Sequence, residues 1–91
     1  MPDWFVYVAR AADNSLYCGV STDVERRLAQ HNAGAGAKCL RGRLPVVLEC
    51  CWKCSDRSSA LRGEAAFKRM TRKKKDDMLA ERRNVCDSRP E

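Results

Sequence analysis

The sequence has 91 residues and a net charge of +6, from 18 basic and 12 acidic side chains, and is short for two domains of the usual ~100–150 residues. Of its 44% hydrophobic residues eleven are alanine and six cysteine, so 23 large apolar or aromatic side chains must form one small core without depth for an organic cofactor. No apolar run approaches the roughly 20 residues of a membrane helix, and Met1-Pro2-Asp3-Trp4 does not resemble a signal peptide, so a soluble, cytoplasmic protein with no membrane partner is expected.

Trp4 to Arg10 (W-F-V-Y-V-A-R) is β-branched and aromatic without a helical period and predicts a strand. Asp13-Asn14-Ser15 supplies turn chemistry, and Leu16 to Val20 returns as a second strand to complete a hairpin. Thr22-Asp23-Val24-Glu25 reads as a capping box with Thr22 at the N-cap. It opens a helix to about Asn32, which Gly34 closes in a left-handed conformation. Gly34 to Pro45 is expected to be a mobile basic loop. Val46 to about Lys53 reads as a third strand, nearly all apolar and hence central. Asp56 caps a second helix to about Met70, and Thr71 a third from Arg72 to about Arg83. The order ββαβαα is an α+β pattern, a small, mainly antiparallel three-stranded sheet with helices packed on it. A single domain over residues 1–83 and a frayed tail over 84–91 are expected.

The charge is unevenly placed. Lys38 to Lys75 carries twelve basic residues against Glu49, Asp56 and Glu64, a local +9. Such a segment suits a polyanion, nucleic acid above all, although a solvated basic surface accounts for the same composition. Cys51 and Cys54 form a C-x-x-C pair, the basis of an alternative reading as a zinc or redox protein. A structural zinc site usually wants a second such pair or two histidines, and His31 is the only histidine. Buried or idle thiols in a reducing compartment are expected instead.

Three groups of residues can carry chemistry. On the first helix Val24 and Leu28 face the core, which puts Arg27 and His31 one turn apart along its edge. They read either as a core margin shielded by an arginine stem and a satisfied histidine, or as a functional pair. On the second helix Glu64 falls in the middle of the apolar arc of Ala60 and Phe67, costly unless paired or bound to a metal. Lys68, four residues on, is its natural partner, yet at helical spacing it points the same inward way, which suggests a polar cleft. Tyr7 and Tyr17, the only tyrosines, stand one on each strand of the hairpin. Either they are core residues with their hydroxyls at the rim, or they join Arg27, His31 and Glu64 in phosphodiester hydrolysis. That reaction uses a metal to polarise phosphate, a base to activate water and a cation to offset charge.

The stretch V-Y-V-A-R-A-A-D-N-S-L-Y-C-G-V-S-T-D-V-E-R-R-L-A-Q-H-N resembles the first half of the GIY-YIG nucleases. Phe5-Val6-Tyr7 stands where that family has G-I-Y, and Tyr17-Cys18-Gly19 where it has Y-I-G. The spacing of Tyr17, Gly19, Asp23, Arg27 and His31 fits the family's pattern. Gly34 to Arg43 and Asp56-Arg57-Ser58 to Thr71-Arg72 further resemble its small, single-domain YhbQ-like branch. The resemblance implies a divalent-metal-dependent endonuclease acting on DNA, duplex or branched, with RNA left open and with little sequence specificity. It implies catalytic roles for Tyr7, Tyr17, Arg27, His31 and Glu64, with Glu64 holding one Mg²⁺ or Mn²⁺. Lys38, Arg41, Arg43, Lys68, Arg72, Lys73, Lys74 and Lys75 are the expected contacts to backbone phosphates. A nucleic-acid-binding module without catalysis is the alternative.

Overall fold

The computed structural model describes residues 3–86. Its elements are β1 (Trp4–Arg10), β2 (Leu16–Ser21), α1 (Val24–Asn32), a 3-10 turn (Lys38–Leu40), β3 (Val47–Cys54), α2 (Arg57–Lys68) and α3 (Arg72–Cys86). This is the expected α+β order, ββαβαα, with an antiparallel three-stranded sheet. The third helix runs to Cys86, three residues beyond the expected end; of the expected tail, 87–91 lie outside the described residues.

Burial along β1 decides the architecture. Val6 and Val8 point to one face and Tyr7 and Ala9 to the other, and all four are buried, so this strand is covered on both sides. The strand order is β2-β1-β3. The expectation that β3 would be central is therefore wrong: β3 is an edge, and Val47 and Leu48 at its start are exposed. An apolar run alone does not distinguish a central strand from an edge strand with a half-covered face.

Each face of the sheet has its own core. Val6, Val8, Cys18 and Cys50 pack against Ala60 and Phe67 of α2 and Leu79 of α3. Fully buried Val6, Val8, Phe67 and Leu79 each stabilise the fold by about 1.5–3 kcal/mol. On the opposite face Ala9 and Ala11 pack with Leu40, Val46, Tyr17 and Leu28 of α1. Thus α1 and the segment after it share one side of the sheet, while α2 and α3 hold the other.

Local chemistry sets the helix ends. Asp56 caps α2 by accepting from the Ser59 N–H, and Thr71 Oγ1 accepts from the Lys74 N–H at the start of α3. The cap of α1 is one residue later than expected: Asp23, not Thr22, accepts from the Arg26 N–H. Ser21 Oγ, accepting from the Asp23 N–H, orients that cap from the end of β2. Gly34 adopts φ +81, the expected left-handed close.

The 34–45 segment, expected to be a mobile basic loop, is tied to the rest of the fold at several points. Leu40 is buried, and the Asn32 carboxamide pairs with the Val46 backbone like a peptide unit, accepting from its N–H at 2.7 Å and donating to its carbonyl at 3.1 Å. Ala12 N–H donates to the Arg43 carbonyl, which fastens the loop to the β1–β2 turn. The Leu44–Pro45 bond is cis.

Candidate functional site

Tyr7 and Tyr17 rise from neighbouring strands on the α1 side of the sheet. Tyr7 lies opposite Gly19 and Tyr17 opposite Ala9, a diagonal arrangement that brings the ring centroids within 6.2 Å. His31, from the last turn of α1, closes the triangle. Its Nε2 is 2.8 Å from Tyr7 Oη, and its ring meets Tyr17 edge-on at 5.2 Å. Arg27, one turn earlier, donates through Nη1 to Gln30 Oε1 at 3.0 Å and borders an open depression of about 180 Å³ beside the helix start.

The members of this cluster differ in exposure. Tyr7 is 1% exposed, and its hydroxyl is pushed up to about 12, by burial first and Tyr17 second, against a hydrogen bond from Arg27 that draws it down. Such a phenol stays protonated at neutral pH. Tyr17 is only half-buried and stands at the mouth of the cluster. His31 is buried rather than lining an edge, and its second nitrogen, Nδ1, accepts from the Ala37 N–H at 3.0 Å. Burial, then the charge of Arg27, holds the imidazole below the usual histidine range, so it is neutral at pH 7.

Glu64 belongs to the other layer. It projects from α2 on the side of the sheet that carries Cys18, whereas Tyr17, the preceding residue of edge strand β2, faces the phenol cluster. Burial and then Glu64 push the Cys18 thiol up to about 12, which places the carboxylate near that strand. Glu64 and the tyrosines therefore flank the β2 edge. No hydrogen bond joins them among the described residues. The carboxylate is 20% exposed and forms an ion pair with Lys68 at 3.3 Å. Lys68, at 57%, points to solvent, not into the polar cleft that helical spacing suggested.

A single carboxylate limits what could bind. No group of three or more His, Cys, Asp or Glu side chains suited to an ion exists among the described residues. One carboxylate oxygen suits Mg²⁺ or Mn²⁺, which retain several waters and take further oxygens from a substrate phosphate. It does not suit Zn²⁺, which needs several protein ligands. The C-x-x-C pair cannot supply them, since Cys51 lies opposite Tyr7 and Cys54 opposite Trp4, on opposite faces of β3. Three residue steps along the strand separate them by about 10 Å.

The basic residues are distributed around these features. Arg43 pairs with Asp13, Arg72 with Asp76 and Lys73 with Asp77. Lys75 lies over the Phe67 ring. Lys38, Arg41 and Lys74 form no ion pair among the described residues. All of these residues except Lys75 are exposed, and exposed pairs contribute only about 0–1 kcal/mol, so they can be exchanged for phosphate contacts. Gln30 and Gly36 escaped the sequence reading, and Gly19 was read only as part of the motif spacing, without its contact to Tyr7. Gly36 sits in A-G-A-G-A, which reads as flexibility, and its close approach to His31 exists only in the folded chain.

Two tyrosines, an arginine and a histidine are thus grouped on one side of a small antiparallel sheet. The chain belongs to the GIY-YIG family, whose catalytic domain matches residues 3–77. The family is one of nucleases that generally use a divalent metal. The chain is similar to the UPF0213 protein YhbQ of Escherichia coli O1:K1, with 48% identity over 81 residues, 89% of this chain and 81% of that protein. Its fold is similar to the solution structure of EF2693 from E. faecalis, with a TM-score of 0.61 and 41% identity over 89% of this chain and 86% of that one. It is also similar to the UPF0213 protein BH0048 from Bacillus halodurans, with a TM-score of 0.57 and 37% identity over 86% of this chain and 83% of that one.

Proposed function

We propose that the protein is a divalent-metal-dependent endonuclease that hydrolyses phosphodiester bonds in DNA, the target phosphate lying across the edge of β2. The observation that carries this reading is the unequal burial of the two phenols. Tyr7 is enclosed with His31, whereas Tyr17 stands at the surface of the same cluster. In this reading Tyr17, acting as the phenolate, touches the attacking water and takes its proton to become the phenol, while Tyr7 and His31 hold the site's geometry from behind. Arg27, beside the open depression, offsets charge on the phosphate. Glu64 is the residue that would hold Mg²⁺ or Mn²⁺, and the ion would polarise the phosphate. Lys38, Arg41, Arg43, Lys68 and Arg72 to Lys75 contact backbone phosphates without reading bases.

The test is incubation of the pure protein with supercoiled, single-stranded and branched DNA and with RNA, with Mg²⁺, Mn²⁺ or chelator. Metal-dependent cutting of a DNA form is expected. Binding without cutting of any substrate favours the non-catalytic binding module instead.

A further inference from the structure

His31 has a definite protonation geometry. A backbone N–H can only donate, so the Ala37 N–H, 3.0 Å from Nδ1, requires a lone pair there. A neutral imidazole carries one proton, which must then reside on Nε2. That nitrogen is 2.8 Å from Tyr7 Oη, so the ring donates and the phenol oxygen accepts, leaving the hydroxyl's own proton for another acceptor.

The groups facing the ring agree with this. Tyr7 from β1 and Tyr17 from β2 are phenols, Arg27 on α1 is a fixed cation, and the loop offers backbone at Gly36 and Ala37. None is a carboxylate that would favour imidazolium. Gly36 is held so close that a Cβ there would run into His31 Nδ1 and lie 2.8 Å from its Cα. The next residues along the chain are Ala37, which donates the bond, and exposed Lys38.

We infer that His31 is a positioning residue and not a general base: the Gly36–Ala37 backbone locks it as the Nε2–H tautomer, and through that proton the loop carrying Lys38 and Arg41 sets the orientation of the Tyr7 hydroxyl. The inference deepens the nuclease reading, which supplies the role of Tyr7, but the tautomer itself is independent of any activity. It also assigns a function to the glycine-rich segment, whose position on the sheet reaches the phenol through one ring.

Two measurements test it. Long-range ¹H–¹⁵N correlation spectra of the labelled protein report this tautomer without ambiguity, because the chain has one histidine. A protonated Nε2 and an unprotonated Nδ1 are expected at pH 7 and above; a proton on Nδ1, or rapid exchange between tautomers, would overturn the inference. In single-turnover cleavage, Gly36→Ala is expected to lower the rate by up to about 10²-fold, the scale of a 1 Å misplacement, with DNA affinity unchanged. His31→Gln, whose amide can donate from the same place, should recover much of the rate that His31→Leu loses. Equal rates for Gln and Leu, both folded, would overturn the inference even if Gly36→Ala fails to fold. A protein with the expected tautomer that cuts nothing contradicts the nuclease reading and leaves the lock intact; one that cuts with Nδ1 protonated contradicts only the lock.

Discussion

A Cβ placed on Gly19 would fall 2.7 Å from Tyr7 Oη and 2.9 Å from the ring carbon that bears it. The glycine opposite Tyr7 is therefore what allows the phenol to lie over β2 and reach His31. Gly19→Ala must displace the ring, and overpacking of this kind typically costs about 1–3 kcal/mol. The midpoint of denaturant unfolding should fall accordingly, and the Tyr7–His31 bond should lengthen or break. His31 adds a pH dependence. Its folded-state titration lies below that of the unfolded chain, from burial first and Arg27 second, so the unfolded state binds the extra proton. The contribution is complete above the unfolded value of about 6.5 and is lost as pH falls through the folded value. Melting temperature should thus rise with pH up to the unfolded histidine value of about 6.5 in the parent and then level off, and that part of the slope should vanish in His31→Gln. Asp13 and Asp56 are held below the usual carboxylate range by their serine hydrogen bonds and do not contribute in this window.

At the scale of elements, the start of α1 separates two caps that the sequence presents side by side. Asp23→Ala removes the oxygen that accepts from the Arg26 N–H and should cost about 0.5–2 kcal/mol in equilibrium unfolding, whereas Thr22→Ala should be close to neutral. The capping-box pattern at Thr22 and Glu25 was one residue out because Ser21 Oγ holds the Asp23 N–H and turns that carboxylate onto the helix. β1, β2, α2 and the grouping of Arg27 with His31 were legible because strand alternation and helical spacing are local. The edge position of β3 was not, since strand order depends on which face each neighbour covers. The fixed course of 34–45 was hidden for a similar reason: its anchors are Asn32 on α1, the Ala12 N–H beyond β1 and the ring of His31. The spacing that put Lys68 beside Glu64 was sound, but a lysine with a flexible stem turns to solvent where a glutamate cannot.

Taken whole, the molecule presents a small core wrapped in cations, with the phenols on one side of an edge strand and a carboxylate on the other. Binding to duplex DNA should be electrostatic, log affinity falling linearly with log salt by about 0.9 for each phosphate neutralised. Replacing Lys38 and Arg41, which are in no ion pair among the described residues, should reduce that slope by nearly two contacts. An unchanged slope would mean that the loop does not touch the phosphates. The central claim is that Glu64 holds the metal on which cleavage depends, and the nicking rate of supercoiled plasmid by Glu64→Gln against the parent, across a Mg²⁺ or Mn²⁺ titration, tests it most directly. The parent should saturate with metal and stop in chelator, while Glu64→Gln should bind the plasmid as tightly but nick at least about 10²-fold more slowly, as expected when an electrostatic contribution of a few kcal/mol is removed. A Glu64→Gln variant that nicks at the parent rate, or a parent that nicks equally well in chelator, would contradict it.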